Sequence, residues 1–314
     1  MDLLSDILAQ MQLAGTLYFR TSFTSPWSIR VPAFEKVARF HFAHKGRCLI
    51  RIEEDKPPVM LEQGDLVIIM RGAAHTLFCD PATENPAMLV DQVVEKSGFD
   101  GTGSLVYGEA GSHHETQLIC GHFAFSPYSQ HLLFDTLPSH IHIQNYGAES
   151  GIWMENTLRV IGNEAGRQKM GGDLIALKMS EIIFAQALRS YIEHEGHDMP
   201  VLAGFADSQI SRALSAIHKN PGHPWDLITL AQIAGMSRTS FATRFAQCMS
   251  VPPLVYITQW RMQIARHALE KSDSSIISIA EKVGYQSEAA FSRVFKKNND
   301  LAPASFRRAV RGAA

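Results

Sequence analysis

No apolar run in these 314 residues approaches the ~20 needed to cross a bilayer, so no helical membrane span and no membrane partner are expected. The N-terminus lacks the basic lead of a secretory signal; Met1-Asp2-Leu3-Leu4-Ser5-Asp6 carries acid instead, and a cytoplasmic location is expected. Cysteine is scarce. Cys48, Cys79, Cys120 and Cys248 stand far apart without paired spacing, which argues against a disulfide framework or a zinc-finger pattern. Net charge is only −2, but it is unevenly spread. From Gly204 onward 14 Lys+Arg face 7 Asp+Glu, whereas the remainder holds 15 basic and 24 acidic residues. A basic tail on an acidic body points to a polyanion as the partner of the tail.

The length suits two domains. Leu3 to Leu13 reads as a short amphipathic helix. Short apolar runs follow, broken by Gly and Pro: Val37–Phe42, Cys48–Ile52, Val59–Leu61, Leu66–Met70, His75–Cys79, Met88–Val94 and Gln117–Phe125. Runs of that length and spacing predict a β-sandwich or barrel. The β character fades after Ile143, and helical patterns follow at about Gly151–Glu164 and Gly172–Glu195. The second of these is apolar nearly all round, leaving a narrow polar stripe of Lys178, Glu181, Arg189 and Glu193. Such a helix is buried on most sides, either against its own barrel or against a second subunit.

The strongest signal is an internal repeat. Leu230 to Phe245 matches Ile279 to Phe295, pairing Ala231 with Ala280 and Gly235 with Gly284 at an offset of 49. One added residue in the second turn makes the offset 50, at which Ser237 pairs with Ser287, Phe241 with Phe291, Phe245 with Phe295, Pro253 with Pro303 and Tyr256 with Phe306. Each copy has the parts of a helix-turn-helix. A helix ends at a Gly able to turn sharply, and a Ser then offers an N-cap oxygen to the next helix. Two Phe four residues apart give that second helix a buried face. Arg238, Thr239, Ala242 and Thr243 are left outward in the first copy, and Glu288, Ala289, Ser292 and Arg293 in the second. Short side chains plus Arg suit close approach to base edges in a major groove. Arg244, Lys296, Lys297, Arg307 and Arg308 are further candidates for base or phosphate contact. Pro252 to Lys271 reads as one spacer helix of roughly 30 Å at ~1.5 Å per residue. Successive major-groove faces lie about 34 Å apart, so one chain is able to seat two readers in adjacent grooves.

The segment resembles the DNA-binding domain of the AraC/XylS transcription regulators. The resemblance rests on Ala231, Gly235-Met236-Ser237, Phe241, Arg244-Phe245, Tyr256, Arg261 and Ala265, then Ile279-Ala280, Gly284-Tyr285, Phe291-Ser292-Arg293, Phe295-Lys296-Lys297, Pro303 and Phe306-Arg307-Arg308. Ser250 and Asp300 stand at turns where that family often has Gly, and Phe306 where it commonly has Tyr. The resemblance implies binding to double-stranded promoter DNA and activation through RNA polymerase.

Two N-terminal stretches, Phe40–Gly46 and Gly64–His75, are similar to the paired motifs of the cupin barrel. A metal-binding cupin uses His-x-His followed by Glu, which puts alternate residues on one strand face. Here the spacing is His41-x-x-His44, which sends the rings to opposite faces, and Arg47 or Cys48 stands near the Glu position. The hard-metal enzyme site is therefore broken, and neither an enzyme nor a resident cofactor is expected. His41, His75, His113, His114 and Cys120 remain as candidate sensor residues for a soft metal or an oxidant, since imidazole and thiolate suit both. Against that stands the simpler reading of an inert buried thiol and core histidines. The expected architecture is α+β: a cupin-like sensory barrel over 1–145, a helical connector with a possible homodimer face over 146–203, and an all-α double helix-turn-helix domain over 204–314. A transcription regulator answering to an unknown effector follows. A cupin enzyme with a helical appendage, or an architectural DNA binder indifferent to metabolites, are the competing classes.

Overall fold

The computed structural model describes residues 2–11, 13–101, 103–108, 114–125, 131–144, 156–157, 160, 170–195 and 200–312. The chain forms two compact units. One comprises Leu13–Pro127 with Leu137–His194; the other comprises Met1–Gln12, Tyr128–Thr136 and Glu195–Ala314.

The first is the barrel unit. Its six-stranded sheet runs β11-β6-β3-β10-β1-β9, built from β1 (Leu13–Thr24), β3 (Val37–Lys45), β6 (Leu66–Ile69), β9 (Ser104–Gly108), β10 (Glu115–Phe125) and β11 (His140–Ile143). The five-stranded sheet runs β5-β4-β7-β2-β8, from β2 (Ser28–Val31), β4 (Cys48–Arg51), β5 (Val59–Leu61), β7 (His75–Phe78) and β8 (Met88–Leu89). The interior is filled by Ile29, Val31, Ala43, Ile50, Leu61, Val67, Ile69, Leu77 and Leu118 among others. Strand β3 is buried on both faces, which explains its near-continuous apolar sequence. On the face away from that interior Phe40 stacks on Phe123 at 4.9 Å, and Phe123 meets Phe184 at 5.2 Å. Phe184 belongs to helix α4 (Gly172–Glu195), which buries Ile183, Phe184, Ala187 and Leu188 while Leu174, Ile175 and Ile182 stay exposed. The predicted strand over Met88–Val94 ends early. Val90, Val93 and Val94 recur at helical spacing with Asp91 in the first turn, and α2 (Val90–Ser97) forms instead, closed by Gly98 at φ 66°. The predicted helix at about Gly151–Glu164 lies largely outside the described residues.

The second is the helical unit: α1 (Leu3–Met11), α3 (Leu132–Thr136), α5 (Pro200–Ala206), α6 (Ile210–Lys219), α7 (Leu227–Ala234), α8 (Arg238–Met249), α9 (Pro253–Lys271), α10 (Ile276–Lys282), α11 (Glu288–Asn299) and α12 (Pro303–Gly312). This grouping differs from the expected division at 145 and 203. The apolar stripe of α1, Leu3, Ile7 and Met11, is buried within the helical unit, and α4 is grouped with the barrel. An amphipathic helix settles where its apolar face is covered, whatever its place in the sequence. No helix among the described residues is long and apolar enough to cross a membrane.

Two turns carry strain. Ser250 closes α8 at φ 58° and Asp300 closes α11 at φ 60°, both in the left-handed region that favours glycine. Ser250→Gly is expected to stabilise the unit by about 0.5–1 kcal/mol in urea unfolding.

Candidate functional site

The two readers are built alike. In the first, Gly235 ends α7 at φ 68°, and Ser237 then caps α8, its hydroxyl accepting from the Ser240 amide at 3.2 Å. In the second, Gly284 sits at φ 85° after α10, and Ser287 caps α11 by accepting from the Ala290 amide at 3.2 Å. A Cβ on Gly284 would lie 2.5 Å from the Gly222 carbonyl oxygen, so glycine is required there for space as well as for φ. Phe241, Phe245, Phe291 and Phe295 are fully buried. Their burial turns the opposite faces outward. Arg238, Thr239 and Thr243 are exposed with Ala242 half-buried; Glu288, Ala289 and Arg293 are exposed with Ser292 half-buried. Lys296, Lys297 and Arg308 are also exposed.

Two predicted contacts are already engaged within the protein. Arg244 donates to Asp207 from both Nε, at 2.7 Å, and Nη2, at 2.6 Å. That carboxylate also caps α6 through the amides of Gln209 and Ile210, and these bonds help hold it below the usual carboxylate range against the opposing effect of burial. Arg307 donates to the Ser274 carbonyl at 2.5 Å, bracing the turn between α9 and α10. Charge and position suggest DNA contact for both residues, and within the chain each also braces the fold through these hydrogen bonds. In the sequence Arg261 stood only among the residues that carry the family resemblance. It donates to the carbonyls of Pro221 and His223, both at 2.7 Å, and lies 5.8 Å over the Tyr285 ring, tying the spacer to both modules. A basic residue amid the apolar positions of α9 was the available signal.

In the barrel, three of the five candidate sensor residues meet. His41 and Cys120 are direct cross-strand partners on β3 and β10, and His75 opens β7 in the opposite sheet. All are at least nine-tenths buried. Cys120 Sγ lies 3.0 Å from His41 Nδ1, His41 Nε2 lies 2.8 Å from His75 Nε2, and His75 Nδ1 lies 3.0 Å from the Ala73 carbonyl. The proton positions follow from the end of the chain. A carbonyl only accepts, so His75 Nδ1 carries a proton. Burial depresses the His75 pKa to about 4, which keeps the ring neutral and leaves Nε2 bare. His41 is likewise neutral, by burial and the neighbouring His75, so its Nε2 donates to His75 and its Nδ1 accepts the thiol proton of Cys120. The result is an uncharged relay, Cys120 to His41 to His75 to Ala73.

Of the two readings of Cys120, burial favours the neutral thiol over the thiolate. Burial pushes the Cys120 thiol well above its usual range, and nearby Cys48 adds to the effect. His114 is exposed just before β10, far along the strand from Cys120, and His113 lies outside the described residues. His44 faces away from His41, as the x-x spacing required. The cupin hard-metal site therefore does not fit these residues: no group of three or more His, Cys, Asp or Glu is placed to hold a metal ion among the described residues.

The relay has a pH consequence. Unfolded His75 binds a proton near pH 6.5 and folded His75 near 4, so the unfolded state holds more protons between those values. Stability present above pH 6.5 is lost as pH falls toward 4, at up to about 1.4 kcal/mol per unit. His75→Asn should flatten that slope in urea titrations of the barrel.

Comparison with known proteins decides the family. Residues 2–193 match the model described as Cupin, and residues 230–309 match the model described as Helix-turn-helix domain. An AraC-like transcription regulator of Streptomyces lividans is 31% identical over 311 residues, covering 98% of each chain. The chain belongs to the AraC-type transcription regulators. The HTH-type regulator AlkR of Acinetobacter baylyi is 30% identical across 98% of this chain and 99% of its own. The RCS-specific transcriptional activator RclR of Escherichia coli is 25% identical, with 99% of each chain covered. This AraC-type regulator thus has a sheet-rich cupin unit and a helical unit that binds double-stranded DNA. Its named relatives are regulators of transcription rather than enzymes.

Proposed function

We propose that the chain is a cytoplasmic, sequence-specific activator that seats α8 and α11 in two major-groove faces of a promoter. Arg238, Thr239, Ala242 and Thr243 read base edges with α8, and Glu288, Ala289, Ser292 and Arg293 with α11. Lys296, Lys297 and Arg308 hold phosphates, which set register without reading sequence. Activation runs through RNA polymerase, a role consistent with an E. coli relative that is named a transcriptional activator. A second copy covers Leu174, Ile175 and Ile182 on α4, an apolar face that is exposed among the described residues.

The signal acts in the barrel. The observation that carries this reading is the Cys120–His41–His75 relay, three polar side chains held in an apolar interior where each depends on the next for its hydrogen bond. An oxidant, a soft metal ion or a small molecule that engages any member disturbs all three. The test is a promoter reporter carrying Cys120→Ser or His41→Gln, challenged with hypochlorous acid, copper salts and a metabolite panel. Induction is expected to fall several-fold for one of those signals while DNA binding in gel shifts stays intact. Full induction in both variants by every signal sinks the barrel reading.

A further inference from the structure

We propose that Cys48 and Cys79, facing each other across β4 and the end of β7, are a peroxide-oxidised pair that closes to a disulfide inside the barrel unit. The two stand far apart in sequence, and strand register brings them together. Strand β4 pairs antiparallel with β7 through Leu49 and Phe78, Ile50 and Leu77, and Arg51 and Thr76. One step further along the same register sets Cys48 opposite Cys79. The Cys79 amide donates to the Trp27 carbonyl at 3.2 Å, which extends the β2 pairing of Ser28 with Phe78 by one residue and holds Cys79 in line with the sheet.

Directly opposed residues of an antiparallel pair hold their Cα atoms about 4.5 or 5.5 Å apart and point to the same face. Both separations lie within the roughly 4.4–6.8 Å that a disulfide spans. The shared face is the interior one: Cys48 belongs to the barrel core, and Cys79 packs against it. Both are free thiols. Cys120 also lies near Cys48. It belongs to the other sheet, however, and its sulfur is engaged with His41 at 3.0 Å, so register selects Cys79 as the partner.

The two thiols are unequal. Cys48 is 1% exposed, and burial together with nearby Cys79 pushes its pKa up to about 12, which makes it the second to react. Cys79 is half-buried, and its sulfur accepts from the Trp27 amide at 3.3 Å, a donor that favours negative charge on an attacking sulfur. Thr83 Oγ1 lies 3.4 Å from the same sulfur. Cys79 Sγ attacks one oxygen of hydrogen peroxide; the O–O bond breaks, the thiol proton leaves with the departing hydroxide as water, and a sulfenic acid forms. Cys48 Sγ then attacks that sulfur. The S–O bond breaks, the Cys48 proton joins the second hydroxide as water, and the S–S bond closes. Two thiols and one peroxide thus give one disulfide and two waters. The bond ties β4 to β7, whose first residue is His75, so oxidation constrains the strand that carries one member of the relay. The pair closes without Cys120, so it stands whether or not the relay is the barrel's signal site.

Peptide mapping by mass spectrometry tests the pair, on the full chain treated with one equivalent of hydrogen peroxide and then alkylated in denaturant. The Cys48 and Cys79 peptides are expected to appear joined, lighter by two hydrogen atoms than their sum, and to separate with dithiothreitol. Cys120→Ser should form the same link, which keeps this test apart from that of the relay. Cys79→Ser should leave Cys48 open to alkylation, and Cys48→Ser should stop at a Cys79 sulfenic acid that dimedone captures. Should either variant fail to fold, the link in the unsubstituted chain decides. A link from either cysteine to Cys120 or Cys248, a link formed only between chains, or full alkylation of both thiols after peroxide overturns the proposal.

Discussion

Phe295→Ala is expected to cost about 3–5 kcal/mol and to silence the second reader while the first still binds. Phe295 is fully buried, with ring contacts to Phe291 at 5.5 Å and Phe306 at 5.3 Å. Met262, Ala265, Leu269, Ile279, Ala280 and Val283 complete that cluster. The first module has its own aromatic centre, where Phe245 meets Phe241 at 5.6 Å and Tyr256 at 5.7 Å. A domain of this size is stable by only about 5–15 kcal/mol, so a cavity of one phenyl ring takes a large share. Hydrogen exchange on the variant should show α10 to α12 opening while α7 and α8 keep their protection. Loss of protection in both modules together would mean that they fold as a single core.

Arg293→Ala is expected to relax sequence preference at one base step by about 1–3 kcal/mol, a factor of five to more than a hundred in discrimination. The reason is its place on α11. Phe291 and Phe295 fix the buried face, which leaves Arg293 exposed on the opposite side and, among the described residues, without the internal ion pair that Arg244 makes. Lys297→Ala should behave differently, weakening all sequences alike and lowering the salt slope by about one. Binding-site selection on both variants across a salt series separates the two. Equal relaxation by both, or none by either, would place the reading face elsewhere on the helix.

The helical unit was legible because its signals are local. The capping serines, the closing glycines and the Phe pairs each act within one turn of chain, so their spacing predicts the geometry directly. The internal bonds of Arg244 and Arg307 were not legible for the opposite reason. Their acceptors, Asp207 and the Ser274 carbonyl, lie more than thirty residues away, and a free basic side chain looks the same in sequence as a bound one. In the barrel, the broken His-x-His was the sequence signal against a hard-metal site. The meeting of His41, Cys120 and His75 could be suspected from residue type, but it depends on strand register, which sequence alone does not set. Residue type left a reactive thiolate and an inert buried thiol both open at Cys120; burial, which favours the thiol, is a property of the whole fold. The placement of α1 was hidden for the same reason: its stripe announces a buried face but not what covers it.

The central claim is that one chain carries two readers for adjacent groove faces, joined by a spacer of 19 residues, or about 28 Å at ~1.5 Å per residue. Hydroxyl-radical footprinting of the full chain on its target promoter measures this directly. Two protected patches on one side of the duplex, centred about one helical turn apart at roughly 10 base pairs, are predicted. A single patch, unchanged when Arg238 or Arg293 is replaced by Ala, would contradict it.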